Sequence, residues 1–198
     1  MPRLFVAIPV PEALWPALGA TMAGVPDAHW VPDESLHLTL RFVGEVDGQR
    51  ASECAEALST IDPPVFEVQL AGVGQFDRGG ETRSLWAGVA DNPALKALQR
   101  RVDHVLTRAG VSGERRRFVP HVTLARLGAS QTPRIATWLT THAEFRPPAF
   151  PVERFALYSS WRTGDGPFYR EEARYPLQGA PGEGWEDLWT EADEAGPG

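Results

Sequence analysis

Hydrophobic and polar positions alternate along some stretches of this chain and recur every three to four residues along others, and the two periods divide it into elements. Arg3 to Val10 alternates and is rich in β-formers, predicting a strand; Glu12 to Met22 is weakly helical despite Pro16. Trp30 to Glu45 reads as a turn followed by a strand. Gly48 to Ile61 predicts a helix with Ala51, Cys54, Ala55 and Leu58 on one stripe; Pro63-Pro64 stops it, and Val65 to Val73 alternates as a further strand. The second half repeats this order with a strand over Ser84 to Ala90 and a helix over Pro93 to Ala109. Its stripe is Leu95, Leu98, Val102, Val105 and Ala109. A strand over Phe118 to Leu127, a helix over Pro133 to His142, and strands over Val152 to Trp161 and Phe168 to Leu177 complete the set. The expected architecture is α+β: two pseudo-symmetric lobes of antiparallel sheet with flanking helices, and an active-site cleft between them. Asp77 to Arg83 is expected to be a surface loop joining two strands within reach of that cleft.

Two of the strands contain nearly the same word, His37-Leu38-Thr39-Leu40 and His121-Val122-Thr123-Leu124, one in each half. Side chains alternate between the faces of a strand. Each copy therefore presents an imidazole and a hydroxyl to one face and two aliphatic groups to a core. Brought together, the two words supply two proton-transfer groups and two neutral hydrogen-bond donors to one polar pocket. An unperturbed imidazole titrates near pH 6.5, so one of the pair can start neutral as a general base and the other protonated as a general acid. Threonine hydroxyls can donate to oxygens that gain charge in a transition state. By strict alternation Arg41 shares the face of His37, whereas Arg126 reaches that of His121 only through a bulge or a strand end. Both are candidates for contact with a phosphate. His104 falls off the apolar stripe of its helix and reads as solvated, and His29 and His142 have no Thr two places on, so no catalytic role is expected of these three.

Of the seven net negative charges, six lie between residues 178 and 198, which carry six acids and no base, so the body is nearly neutral. Within it Arg115, Arg116 and Arg117 cluster just before the second word, a pattern that suits one or a few phosphates better than a long duplex. Two domains are thus expected, residues 1–177 as the bilobal body and 178–198 as an acidic Gly/Pro-rich tail, in which Trp185, Leu188 and Trp189 fall at helical spacing. The N-terminal apolar run, Leu4 to Val10, is too short to span a membrane and has no small-residue cleavage site, so a cytoplasmic protein with no membrane partner is expected, acting as a monomer. Cys54 is the single cysteine, which excludes an internal disulfide and a thiolate metal cluster. Two histidines without a neighbouring carboxylate or thiolate at ligand spacing are too few for a closed zinc site, so no metal and no cofactor is expected. Phe42, Trp161 and Phe168 are aromatics available to stack on a base, although large aromatics in strands are more often core, and alternation puts Phe42 on the face of Leu38 and Leu40.

The two His-x-Thr-Leu words, with Arg3-Leu4-Phe5-Val6-Ala7-Ile8 at the start, Trp30-Val31 and Leu36 before the first word, Phe42-Val43-Gly44-Glu45 after it and Phe118-Val119-Pro120 before the second, resemble the two-histidine phosphoesterase superfamily. Its branch of RNA 2′,3′-cyclic phosphodiesterases, also called 2′-5′ RNA ligases, is the most similar, and the resemblance covers residues 3 to 177. It implies that His37 is the proton donor, His121 the proton acceptor, and Thr39 and Thr123 the holders of the phosphate oxygens; the near-identical words themselves do not say which histidine is the acid. The implied reaction is hydrolysis of RNA ends carrying a 2′,3′-cyclic phosphate to 2′-phosphomonoesters. The same groups would also serve 2′-5′ RNA ligation or a cyclic phosphodiesterase acting on small nucleotides. A module that binds RNA ends without turnover is the reading from another class, and a paired set of titrating groups speaks against it.

Overall fold

The computed structural model describes residues 3–113, 116–128, 133–163 and 166–178. Its strands are β1 (Arg3–Pro9), β2 (Ala28–Trp30), β3 (His37–Glu45), β4 (Phe66–Val68), β5 (Leu70–Arg78), β6 (Glu81–Val89), β7 (His121–Leu127), β8 (Phe150–Val152), β9 (Arg154–Thr163) and β10 (Gly166–Pro176). The helices are α1 (Trp15–Gly19), α2 (Gly48–Ser59), α3 (Pro93–Arg108) and α4 (Pro133–Thr141).

Local chemistry sets the helix boundaries. Asp47 caps α2 by accepting from the Arg50 amide at 2.8 Å, and Asn92 caps α3 by accepting from the Leu95 amide at 2.9 Å, with Pro93 in the first turn. The buried stripes follow helical spacing, Cys54 and Leu58 on α2 and Leu95, Leu98, Val102 and Leu106 on α3, while His104 is exposed. Leu106 takes the deep position expected of Val105, because the helix period of 3.6 carries the stripe on from Val102 by four residues.

The main sheet runs in the order β10-β9-β1-β3-β7-β6-β5, with β2 on the same edge of β7 as β3. All its pairings are antiparallel. It falls into two halves, β10-β9-β1-β3 and β2/β7-β6-β5, and between β3 and β7 a single residue pair, Leu38 opposite Val122, joins them. Beyond that pair the edge of β7 turns to β2 instead. The two expected lobes are therefore two half-sheets hinged on the centres of the two His-x-Thr words. Leu38, Leu40, Val122 and Leu124 all sink into the hydrophobic core behind the join.

Three expectations are revised. Val65 to Val73 divides at Gln69: β4 pairs with β8 in a separate two-stranded sheet, and β5 joins the main sheet. The Gln69 amide donates to the carbonyls of Leu70 at 2.9 Å and Pro147 at 2.5 Å, holding the chain where it changes sheets. Val152 to Trp161 divides in the same way, because β8 belongs to the small sheet and β9 to the large one. Asp77 to Arg83 is not an open loop: β5 and β6 continue into it and turn at Gly79-Gly80, both with positive φ, the backbone that a two-residue hairpin requires. No helix among the described residues is long and apolar enough to cross a membrane. The acidic tail beyond Gln178, with Trp185, Leu188 and Trp189, and Arg115 lie outside the described residues.

Candidate active site

Pairing Leu38 with Val122 in antiparallel register sets His37 across from Thr123 and Thr39 across from His121. The four polar side chains therefore share one face of the join, all of them half-buried, while the aliphatic residues of both words face the core. The Leu38–Val122 pair acts as a local twofold axis that exchanges one word for the other. Among the described residues neither threonine hydroxyl is engaged by another protein group.

Each imidazole is held the same way. His37 Nδ1 lies 2.6 Å from the carbonyl of Ser35 and His121 Nδ1 lies 2.7 Å from that of Val119, in both cases the residue two places before. A carbonyl only accepts, so Nδ1 carries the proton in both rings and Nε2 remains to exchange one with a substrate. Aromatic rings fix the imidazole planes. Phe5 of β1 lies 5.0 Å from His37 and Tyr169 of β10 meets it edge-on at 5.2 Å. Phe76 of β5 meets His121 edge-on at 4.8 Å, and Trp86 of β6 lies 6.0 Å away. These four residues and the two carbonyls are not singled out by the sequence; strand propensity marks Phe5, Phe76, Trp86 and Tyr169 as ordinary sheet aromatics, and only the strand order brings them to the histidines.

Strict alternation misplaces the residues just beyond the words. In β3 the pairing with β1 jumps from Thr39 to Arg41, and in β7 the pairing with β6 jumps from Thr123 to Ala125, so each strand carries a bulge at the last residue of its word. A bulge reverses every face beyond it. Arg126 consequently joins His121 and Thr123 on the site face, by the route that the sequence required of it. Arg41 turns the other way: its side chain is 4% exposed, its Nε donates to Asp103 of α3 at 2.6 Å, and its Nη groups donate to the carbonyls of Phe42 and Ser112. The expected phosphate contact by Arg41 is thus not available to it. Phe42 takes its place on the site face, 54% exposed and 6.2 Å from Phe5, contrary to its expected core position. Burial records the same reversal. Buried positions change parity from Val122 and Leu124 to Ala125 and Leu127, and from Leu38 and Leu40 to Arg41 with Val43 behind it.

Trp161 and Phe168 pair across β9 and β10 on the face opposite Tyr169, away from the histidines. Trp161 also lines a cavity of about 300 Å³ against α2 on that far side, with Leu4, Ala51, Ala55 and Arg170. Arg116 and Arg117 are exposed in the segment that leads into β7.

Burial dominates the electrostatics. It lowers the His37 pKa to about 4 against the opposing effect of the bond to Ser35, and the nearby charges of Arg126 and His121 lower it further. Burial also lowers His121, again opposed by its carbonyl bond and assisted by Arg126. Burial thus favours the neutral form of both rings, beside the Arg126 guanidinium, which has no hydrogen-bond or ion-pair partner among the described residues. An anion placed beside these rings would favour the charged imidazole that burial disfavours. Among the described residues no three His, Cys, Asp or Glu side chains gather as metal ligands would.

The family model described as the 2′-5′ RNA ligase superfamily matches residues 10–164, which takes in both words and the strands from β2 to β9. The chain belongs to that superfamily. Relatives within it include the RNA 2′,3′-cyclic phosphodiesterase of Aeropyrum pernix, 37% identical over 71% of this chain and 81% of that one. The protein of the same name from Thermotoga maritima is 38% identical over 72% of this chain and 76% of that one. Among solved structures, E. coli LigT without ligand superposes with a TM-score of 0.74 at 28% identity, covering 90% of this chain and 99% of that one. LigT has also been crystallised with 3′-AMP. The superfamily's fold thus extends over the half-sheets and the join between them.

Proposed function

We propose that this protein hydrolyses RNA ends carrying a 2′,3′-cyclic phosphate to 2′-phosphomonoesters, without a metal, through general acid–base catalysis by His37 and His121. The observation that carries this reading is the quartet about the Leu38–Val122 pair, in which two imidazoles with Nδ1 fixed and Nε2 free face each other across two unengaged hydroxyls. The superfamily and the names of its relatives support the same chemistry. His121 Nε2 takes a proton from the attacking water as the water oxygen bonds to phosphorus. The bond from phosphorus to O3′ breaks on the opposite side, and the proton on His37 Nε2 passes to O3′. One water is added, and a 2′-phosphate and a free 3′-hydroxyl result. Thr39 and Thr123 donate to the non-bridging oxygens, and Arg126 neutralises the charge that gathers on them. The direction of proton flow follows the family resemblance, and the substrate anion beside His37 favours the protonated ring that burial disfavours. Phe42 and Phe76, both exposed on the site face and flanking the histidines, are the surfaces on which a nucleobase stacks.

The protein acts in the cytoplasm as a monomer, and residues 1–177 are the catalytic unit. The test is incubation in chelator with an oligoribonucleotide ending in 2′,3′-cyclic phosphate, resolving 2′- from 3′-phosphate. His37→Ala and His121→Ala should each lose about 10²–10⁴ in turnover, and Thr39→Ala or Thr123→Ala less, since one hydroxyl remains. Turnover that survives both histidine changes, or that needs an added divalent ion, refutes the mechanism. Product in the reverse direction from a 5′-hydroxyl acceptor would show that the same site also ligates.

A further inference from the structure

The sheet extends the site beyond the quartet through a histidine to which the sequence alone assigns no role. Strand β2 pairs with β7 so that His29 stands directly across from Arg126, and on the other side β6 places Ser84 across from the same arginine. Directly opposed residues of antiparallel strands share a face, with their Cβ atoms about 4.5–5.5 Å apart. The partition is visible in burial: the neighbours Ala125 and Leu127 turn to the core, while His29 and Arg126 are both exposed. The bulge at the end of the second word, which brings Arg126 to the site face, therefore brings His29 and Ser84 with it. The three form one cross-strand row of an imidazole, a guanidinium and a hydroxyl, beginning where the quartet ends and running away from the join. Among the described residues none of the three is engaged by another side chain. With Arg126 given to the reacting phosphate, His29 stands about one strand spacing further out, near 4.8 Å.

We propose that His29, with Ser84 on the far side of Arg126, forms a second anion subsite that holds the phosphodiester joining the terminal nucleotide to the rest of the RNA. The subsite rests on the proposed reacting centre of His37 and His121 and specifies its substrate class as oligonucleotide rather than mononucleotide. Neither residue takes part in proton transfer. Their contribution is to binding: an imidazole and a hydroxyl at the protein surface each donate one hydrogen bond to a phosphate oxygen, and the flanking guanidinium favours the anion.

The decisive experiment compares three substrates on wild type and variants: a nucleoside 2′,3′-cyclic phosphate, a dinucleotide ending in the same group, and that dinucleotide with its linkage replaced by an uncharged methylphosphonate. Wild type should show a KM for the charged dinucleotide about 3- to 10-fold below that for the methylphosphonate, the range expected of one exposed charge-assisted contact. His29→Ala should bring the two within about twofold, with kcat unchanged and the mononucleotide unaffected. His29→Lys should restore the preference, and Ser84→Ala should reduce it. The subsite is refuted if wild type does not distinguish the two linkages, or if His29→Ala distinguishes them as wild type does, while turnover of the mononucleotide continues to depend on His37 and His121. Absence of turnover dependent on those two histidines on all three substrates would remove the reacting centre and the subsite together.

Discussion

Two imidazoles that are free in solution titrate near pH 6.5, and here both are moved down by the walls that orient them. Phe5, Tyr169, Phe76 and Trp86 fix the ring planes and at the same time exclude water, so the charged form loses hydration in both rings. Burial thus works against the protonated form that a general acid needs, and in the proposed mechanism a bound phosphate anion works for it. Inorganic phosphate should therefore raise the pKa of His37 by at least about one unit above its value in the free enzyme, followed by NMR titration of the imidazole carbons, and an unmoved pKa would exclude this effect. The shift also links to stability. The pKa of His37 is about 4 in the folded protein against 6.5 unfolded, so the unfolded chain binds more protons between these values. The contribution is fully present above pH 6.5 and is lost as the pH falls toward 4, up to about 3 kcal/mol at 1.36 kcal/mol per unit. Urea denaturation at about pH 7 and about pH 4.5 should show wild type losing more stability than His37→Asn across that interval.

At the scale of elements the bulges decide which arginine shares the face of the histidines. Both words were legible as strand with His and Thr on one face, because a period of two needs no tertiary information. The orientation of the residues after each word was not, because an inserted residue reverses every later side chain and its position depends on the neighbouring strand. Arg41 and Arg126 consequently separate in experiment. Arg41→Met breaks a mostly buried pair whose carboxylate is about one-third exposed, and should lower stability by about 2 kcal/mol with little change in KM. Arg126→Ala should leave the melting temperature within about 1 °C and raise KM about tenfold, as loss of a charged hydrogen bond to phosphate does. A raised KM in the Arg41 variant at unchanged stability would reverse the assignment. Strand β5 supplies a second test. A Cβ on Gly74 would stand 2.2 Å from Cη2 of Trp86, so the indole lies flat on the bare glycine and the position tolerates no side chain. Gly74→Ala should destabilise by about 1–3 kcal/mol. It should also lower kcat, because the displaced indole is one of the walls that orient His121; a kcat unchanged in a folded variant would separate Trp86 from the site.

At the scale of the molecule, two half-sheets meet at one pair of residues, and that pair is the centre of both words. A site on such a join takes one imidazole and one hydroxyl from each half, so neither half holds the quartet alone. The quartet, the aromatic walls and the row from Ser84 to His29 all lie within residues 3–178, and the family resemblance ends at residue 177, so a chain ending at Gln178 should keep the turnover of the whole. A large loss of turnover would assign the tail a part in the site. The sequence by itself determined the order of most elements, the repeated words, the face that each word shows and the aliphatic residues behind it, since these depend on local period and side-chain chemistry. It also supplied the family resemblance. Only the tertiary structure decided that Arg126 and not Arg41 shares the face of the two histidines, that Phe42 is exposed, that burial disfavours the charged form of both rings, and that His29 stands beside the arginine. Each of those depends on which strand lies next to which and in what register, and therefore on contacts between residues far apart in the chain.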